Sequence, residues 1–93
     1  MSDIIESVVV YEQPSCGMCT AVKRALQRMG ITPVIKQIAD HPDIRDQMVA
    51  QGWTAAPLVM VNYLGGTPSW GWGGMRTAEL DQVKRELEAH GHA

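Results

Sequence analysis

The chain has 93 residues and a formal net charge of −2, and 45% of its residues are hydrophobic and 19% charged. This composition excludes an intrinsically disordered protein, and the charge gives no reason to expect a nucleic acid or an anionic membrane as a partner. No apolar stretch reaches the roughly 20 residues that span a bilayer. We expect one domain over residues 1–93, with an ordered core over residues 7–88 and short flexible termini.

The first half of the chain changes from a strand pattern to a helix pattern and back. Residues 7–11 are β-branched and aromatic and predict a buried strand, which ends before Pro14. From about Cys16 the apolar residues recur at helical spacing, and Gly30 marks the end of this helix. Residues 32–38 predict a second strand. The apolar stripe of the helix consists of Cys19, Val22, Leu26 and Met29.

The second half predicts a helix, a hairpin and a last helix. Pro42 lies in the first turn of the second helix. Residues 58–61 and 69–72 predict two strands, joined by a connection rich in Gly and Pro. The last helix begins near Thr77 and is expected to bury Leu80, Val83 and Leu87.

The predicted element order is therefore β-α-β-α-β-β-α. A strand–helix–strand unit favours parallel pairing of its two strands, and a hairpin pairs its strands antiparallel. The order predicts an α/β fold in which a four-stranded mixed sheet is flanked by three helices.

Two cysteines, Cys16 and Cys19, are the chain's candidate reactive groups. Residues 1–6 lack the basic and apolar regions of a signal peptide, so we expect a cytoplasmic protein, in which a structural disulfide does not persist. A disulfide across so short a separation also constrains the unfolded chain very little. Reactivity explains this pair better than stability does.

The motif Cys16-Gly17-Met18-Cys19 stands at the predicted start of the first helix. Side chains three positions apart lie on one helical face, so the two sulfurs can approach bonding distance. The unpaired N–H groups at a helix N-terminus favour the thiolate of Cys16, the form that attacks a disulfide. Cys19 belongs to the buried stripe. We predict that Cys16 is the nucleophile and that Cys19 resolves the mixed disulfide.

A metal site and an inert pair of cysteines are the alternatives. Zinc usually requires four ligands, often from two such cysteine pairs. This chain has one pair, and His41, His90 and His92 are distant from it in sequence. The position of the pair, after the first strand and at the head of the first helix, favours redox chemistry over both alternatives.

Three blocks of sequence resemble the glutaredoxin branch of the thioredoxin superfamily, and in particular the NrdH-redoxins. They are VYEQPSCGMC at residues 10–19, AAPLV at 55–59 and WGGMR at 72–76. They follow the family's order and spacing, and the third, similar to the family's Trp-Ser-Gly-Phe-Arg stretch, is the more specific. The resemblance implies a thioredoxin-like fold of the glutaredoxin type.

The resemblance also implies a set of substrate-binding residues. Pro57 is expected to follow a cis peptide bond and to face the two sulfurs, and X-Pro is the bond at which the cis form costs little. A trans proline that begins an edge strand is the alternative. The implied substrate-binding residues are Gly17, Met18, Ala56, Pro57, Trp72, Gly73, Gly74 and Arg76.

The electron donor is the next question that the resemblance raises. Glutaredoxins commonly place a Lys shortly before the motif and an Asp after Gly-Gly, and these groups bind glutathione. Here Gln13 takes the Lys position, and Glu12 beside it repels a glutathione carboxylate if it faces the site. Met75, Arg76 and Thr77 follow the Gly-Gly pair. These residues favour a protein as the electron donor.

We therefore expect a monomeric dithiol–disulfide oxidoreductase with a redox-active Cys16–Cys19 pair and no bound cofactor. NrdH-redoxins take electrons from thioredoxin reductase, and so indirectly from NADPH, and pass them to ribonucleotide reductase. The resemblance implies these two partners here. The alternatives are a glutathione-dependent dithiol glutaredoxin and a non-catalytic binding module with a thioredoxin fold.

One segment departs from the family's pattern. Residues 62–70 form a longer connection than the short hairpin usual in NrdH-redoxins. Trp70 and Trp72 are two positions apart, so they share one face of a strand. Either one of them packs in the core, or both form an exposed aromatic patch for a protein partner.

Overall fold

In the computed structural model, which describes residues 4–91, four strands form one mixed sheet. Across the sheet, the second strand of the chain pairs parallel with the first, which pairs antiparallel with the third, and the third pairs antiparallel with the fourth. The strands are β1 (Ile5–Glu12), β2 (Val34–Gln37), β3 (Leu58–Tyr63) and β4 (Trp70–Gly73).

Three α-helices connect or follow these strands, namely α1 (Gly17–Arg28), α2 (Pro42–Ala50) and α3 (Thr77–His90). Helix α1 joins β1 to β2, as a parallel pair requires. The predicted βαβαββα fold class is confirmed. Within residues 4–91, no helix is long and apolar enough to cross a membrane. The expected flexible termini include residues 1–3 and 92–93, which lie outside the described residues.

The core lies between the sheet and two of the helices. Alternate residues of a strand point to one face, and Val8 and Val10 of β1 are at most 1% exposed. They belong to one buried cluster with Val22 of α1 and Val83 of α3. Strand β1 is an inner strand between β2 and β3 and therefore fixes where the segment after Glu12 leaves the sheet.

Strand β2 is shorter than the predicted residues 32–38. Its last pair joins Gln37 to Glu12, where β1 itself ends. Beyond that point no strand partner remains on this side, and Ile38–Asp40 form one turn of 3-10 helix. Pro33, which has no N–H to donate, precedes the strand. The sequence pattern showed β propensity, whereas the length of the neighbouring strand decided the length of the ladder.

Helix α3 buries a carboxylate that the sequence pattern did not predict. Leu80, Val83 and Glu86 are its buried residues, whereas Leu87 is half-buried. Tyr63 donates its hydroxyl hydrogen to Glu86. Gln82 donates to the other carboxylate oxygen of Glu86 at 2.8 Å. These bonds satisfy a side chain whose burial would otherwise be costly.

The β3–β4 connection lies at the end of the sheet opposite the cysteines. The amide of Leu64 donates to the carbonyl of Ile4 at 3.0 Å, next to the start of β1. Cys16 follows the other end of β1, an eight-residue strand that is about 26 Å long. Ser69 donates to Asn62 at 2.7 Å and holds the connection together. The longer hairpin therefore does not reach the cysteines.

We predict that Tyr63 makes the fold sensitive to alkali. Burial and the bond to Glu86 raise the pKa of Tyr63 to about 12, whereas an unfolded tyrosine titrates near 10. Between these values the unfolded chain loses a proton that the folded chain keeps. The free energy of unfolding should therefore fall by about 2 to 3 kcal/mol as the pH rises from about 10 to about 12.

Urea unfolding at a series of pH values measures this fall. Tyr63→Phe removes the titrating hydroxyl and should show a flatter dependence on pH. Tyr11→Phe keeps Tyr63 and serves as the matched control, with the slope of the unmodified protein. Equal slopes for the unmodified protein and Tyr63→Phe would contradict the assignment.

Candidate functional site

The chain turns sharply between the end of β1 and the start of α1, and this turn carries Cys16. Ser15 adopts a left-handed conformation with φ 56°. Cys16 is the N-cap residue of α1, and the amide of Cys19 donates to Cys16 Sγ at 3.1 Å. Its sulfur therefore takes the place of the side-chain oxygen that usually caps a helix. Negative charge on this sulfur faces the N–H groups and the positive end of the helix dipole.

The two cysteines differ in their access to solvent. Cys16 is half-buried, whereas Cys19 is 2% exposed and lies on the same face of α1 as Val22 and Leu26. They are joined by a disulfide. Cys16 is therefore the sulfur that is open to the surroundings, whereas Cys19 Sγ lies behind it and in contact with Cys16 Sγ.

A second segment faces Cys16 from across the sheet. The peptide bond between Ala56 and Pro57 is cis, as the resemblance implied. The carbonyl oxygen of Ala56 lies 3.8 Å from Cys16 Sγ. The structure thus brings together residues that are 40 positions apart. The backbone at this cis bond therefore borders the sulfur of Cys16.

Trp72 supports this segment from inside the molecule. Its indole N–H donates to the carbonyl of Gly74 at 3.1 Å, and the amide of Gly74 donates to the carbonyl of Pro57 at 2.8 Å. The side chain is 2% exposed. Trp72 was predicted to bind substrate, but its side chain lies in the core and supports the cis-proline segment instead.

The aromatic patch proposed for Trp70 and Trp72 is also absent from the surface. The two rings contact each other, with centroids 5.4 Å apart. Trp70 is half-buried, packs against the core, and donates its indole N–H to the hydroxyl of Tyr63 at 2.5 Å. Both rings therefore belong to the packing of β4, because both point to the face that the helices cover.

Trp53, which the sequence analysis missed, packs beside the cis-proline segment. Its amide donates to the carbonyl of Met48 at 2.9 Å, just after α2. A Cβ atom at Gly73 would lie 2.7 Å from Trp53 Cβ and 3.2 Å from the carbonyl oxygen of Ala55. Gly73 therefore permits a contact that a larger residue would prevent. A large aromatic residue shortly before the Ala-Pro pair was the available signal.

Three more of the predicted residues, Gly17, Met18 and Arg76, are exposed, and so is Met75, which was not predicted. An added Cβ at Gly17 would meet nothing within 4 Å. Met18 is 44% exposed and Met75 is 38% exposed. Arg76 is also exposed, and its Nε lies 2.9 Å from a carboxylate oxygen of Glu79. Gly17, Met18, Met75 and Arg76 thus offer a partner an apolar surface with one cation, itself paired with a carboxylate.

A groove of about 360 Å³ runs away from the cis-proline segment. Ala56, whose carbonyl oxygen lies 3.8 Å from Cys16 Sγ, is one of its lining residues. The groove contains a cation, Arg45 of α2, that the sequence analysis did not select. Its lining includes Gln13, Arg45, Met48, Trp53, Thr54 and Ala56.

Glu12 does not act as a free negative charge at the site. Lys23 donates to one of its oxygens at 2.6 Å and Gln37 to the other at 3.1 Å. These bonds hold the pKa of Glu12 below its usual value, chiefly through Lys23. The ammonium of Lys23 therefore compensates the charge that was expected to repel a glutathione carboxylate if Glu12 faced the site.

The described residues offer no cluster for a metal ion. Within residues 4–91, no group of three or more His, Cys, Asp or Glu side chains is placed to bind one. The groups that the structure does bring to Cys16 are a helix N-terminus, a backbone carbonyl and a second sulfur. This set is suited to thiol–disulfide exchange.

Comparison with known sequences agrees with this geometry. The sequence model of the glutaredoxin family matches residues 8–63, a range that includes both cysteines and Pro57. The chain belongs to the glutaredoxin family. It is 31% identical to the glutaredoxin-like protein NrdH of Salmonella typhimurium, in a match that covers 83% of this chain and 88% of the relative. The resemblance to NrdH-redoxins is therefore confirmed.

Other relatives and solved structures place the chain in the same family. It is 38% identical to glutaredoxin-C5 and 36% identical to glutaredoxin-C3 of rice (Oryza sativa subsp. japonica), each over 64% of this chain. The matches span 49% and 51% of those two proteins. The rice glutaredoxins are thus about twice as long as the region they share with this chain.

Among solved structures, the chain is similar to the NrdH-redoxin of Escherichia coli. The TM-score is 0.62 at 25% identity, and the match covers 83% of this chain and 93% of that one. It also shares its fold with chloroplastic thioredoxin z, at a TM-score of 0.59 and 20% identity, over 94% of this chain and 80% of that one. The protein is an NrdH-like redox protein of the glutaredoxin family with a thioredoxin fold.

We predict that Gly73→Ala disturbs the cis-proline segment. The added methyl group must displace Trp53 or the Ala55 backbone, and overpacking of this kind costs about 1 to 3 kcal/mol. Urea unfolding should show this loss, and the rate of insulin reduction should fall with it. Gly66→Ala is the matched control, since an added Cβ there meets nothing within 4 Å. Equal stability and activity of the two variants would contradict the prediction.

Proposed function

We propose that the protein is a dithiol–disulfide oxidoreductase that reduces disulfides in other proteins and is recharged by a thioredoxin reductase. The observation that carries the proposal is the inequality of its two sulfurs. Cys16 caps a helix and faces the Ala56 carbonyl across an open site, whereas Cys19 is buried behind it. This arrangement supports a first step at Cys16 and a second step at Cys19.

The proposed reaction transfers two electrons in two exchanges. The Cys16 thiolate attacks one sulfur of the partner's disulfide, forms a mixed disulfide and releases the partner's other sulfur as a thiolate. Cys19 then loses its proton and attacks Cys16 Sγ, which breaks the mixed disulfide and releases the second partner thiolate. The partner is reduced to a dithiol, and the protein is oxidised to the Cys16–Cys19 disulfide. The reductase returns the two electrons from NADPH.

Three features around Cys16 support the first exchange. The Cys19 amide, 3.1 Å from Cys16 Sγ, and the dipole of α1 stabilise negative charge on that sulfur. The backbone around the cis bond offers an extended partner segment its polar groups. The exposed side chains of Met18 and Met75 give apolar contact that adapts to different partners.

Charge at the site supports a protein as the electron donor. Gln13 stands where glutaredoxins place a Lys for glutathione, and after Gly73-Gly74 no Asp follows until Asp81. The NrdH-redoxin of Escherichia coli is described as having a thioredoxin-like activity profile. By likeness to NrdH proteins, we propose ribonucleotide reductase as the physiological acceptor, and we expect a monomer that acts in the cytoplasm.

Glutathione is the second candidate donor, and Arg45 favours it. Its side chain lines the groove that also contains Gln13 and Ala56. A glutathione attached to Cys16 would lie in this groove, where Arg45 supplies a cation for one of its carboxylates. Arg45 is distant from the motif in the chain, so no local sequence pattern marks it as a cation of the site.

We predict that a paired donor assay separates the two candidates. Reduction of insulin should proceed with NADPH and thioredoxin reductase, and should be much slower with glutathione and glutathione reductase. Activity confined to glutathione would overturn the proposed donor. In that case Arg45→Ala should raise the KM for glutathione about tenfold, whereas Arg28→Ala, an exposed arginine away from the groove, should not.

We predict that the two cysteine variants fail at different steps. Cys19→Ser should accumulate a mixed disulfide between Cys16 and a substrate protein, because the resolving sulfur is missing. Cys16→Ser should form no adduct and show no activity. Mass spectrometry under non-reducing conditions measures both. Full activity of Cys16→Ser would reverse the assigned roles, and an inert unmodified protein would favour the non-catalytic binding module.

A further inference from the structure

A second groove, on the other side of α1, lies one helical turn from the redox centre. Four side chains at positions i, i+3, i+4 and i+7 of α1 form one wall, and the edge strand β2 with the residues before it forms the other. Its volume is about 440 Å³. We call it the α1–β2 groove, and it is lined by Thr20, Lys23, Arg24 and Gln27 of α1 and by Pro33 and Ile35 beside them.

We propose that the α1–β2 groove binds an extended acidic segment of a protein partner. This inference deepens the proposed function, since it assumes that the partner carries the disulfide that Cys16 reduces. Thr20 donates from its hydroxyl to the carbonyl of Cys16 at 3.4 Å. A chain that enters the groove at Thr20 therefore passes next to the reactive turn.

Charge in the groove selects an acidic occupant. None of the described residues that line it is acidic. Lys23 is bonded to Glu12, but within residues 4–91 no carboxylate pairs with the guanidinium of Arg24. Lys36 is exposed as well, but it points to the opposite face of the sheet from Ile35 and does not line the groove. A carboxylate of a bound segment would meet Arg24 without first breaking an ion pair of the protein.

The backbone of β2 selects an extended occupant. This strand lies at the edge of the sheet and pairs with β1 on one side. Its other side is open to a strand from another chain, which would gain main-chain hydrogen bonds there. Val34 is 44% exposed and Ile35 is 41% exposed. The two side chains point to opposite faces of the sheet. An added strand that directs carboxylates to Arg24 on the Ile35 face can therefore cover Val34 with apolar side chains on the other face.

A second copy of the same chain fits this surface less well. In a symmetric dimer the same patch meets itself. In such a dimer each groove would meet a surface that has the Arg24 cation and no acidic lining residue, so the charges are not complementary. An acidic segment from a different protein has the complementary charge instead.

The test measures binding to the oxidised protein, so that no thiol chemistry is involved. The probe is a fluorescein-labelled peptide of alternating Glu and Val, and its control is the same peptide with Lys in place of Glu. Fluorescence anisotropy should show binding of the acidic peptide, weakened by added salt, and no binding of the basic one. Amide shifts in an NMR titration should move at residues 34–37. Acidic and basic peptides of equal affinity would overturn the proposal.

Two charge reversals locate the binding site. Arg24→Glu should weaken the acidic peptide about fivefold at low salt. Lys84→Glu makes the same change in charge on the exposed side of α3, outside the groove, and should leave the affinity unchanged. An equal loss of affinity in both variants would show that the peptide responds only to net charge, and it would overturn the assignment of the binding site to the α1–β2 groove.

The remaining outcomes separate this inference from the proposed function. Arg24→Glu should reduce a small neutral disulfide at the unmodified rate, because Cys16 and Cys19 are intact. Peptide binding without any reductase activity would overturn the proposed function, whereas the assignment of the α1–β2 groove as a peptide-binding site would stand. Sedimentation of the unmodified protein as a dimer that Arg24→Glu alters would assign the groove to a second copy and overturn the acidic partner.

Discussion

The antiparallel pairing of β1 with β3 is the constraint on which the site depends. Tyr11 pairs with Leu58, and each of these residues stands next to a segment that leaves the sheet. Cys16 follows the end of β1, and the cis Ala56–Pro57 bond precedes β3. The pairing therefore places the Ala56 carbonyl beside the sulfur of Cys16. A shift of one residue in this register would turn every buried Val of β1 to the other face, so the same core that stabilises the fold also fixes the site.

Two hydrogen bonds connect the cis-proline segment to the core and so position the rest of the site. Gly74 is bonded to Pro57 through its amide and to Trp72 through its carbonyl. Because Trp72 is held in the core, the exposed residues that follow Gly74 have a rigid support. The parts of the site that a partner would contact are thus small or flexible, whereas the parts that position them are large and buried.

The site shows where sequence reasoning succeeded and where it did not. The motif of Cys16 and Cys19 was found because its signal is local: a residue pair at helical spacing after a strand. Trp53, Arg45 and the ion pair of Glu12 were missed or misread, because each acquires its role from a segment far away in the chain. Trp72 was expected to bind substrate, but its indole lies among core residues, since β4 pairs with β3 and turns that face inward.

Local patterns predicted the order of the elements, the buried first strand and the difference between the two cysteines, because hydrophobic periodicity and helix position are properties of neighbouring residues. They did not predict the length of β2, the burial of Glu86 or the place of Arg45 in the groove that Ala56 also lines. Each of these depends on a contact between distant segments: the end of a neighbouring strand, a tyrosine hydroxyl that donates to a carboxylate, and a helix that borders a groove. Spacing along the chain does not encode such contacts, whereas packing does.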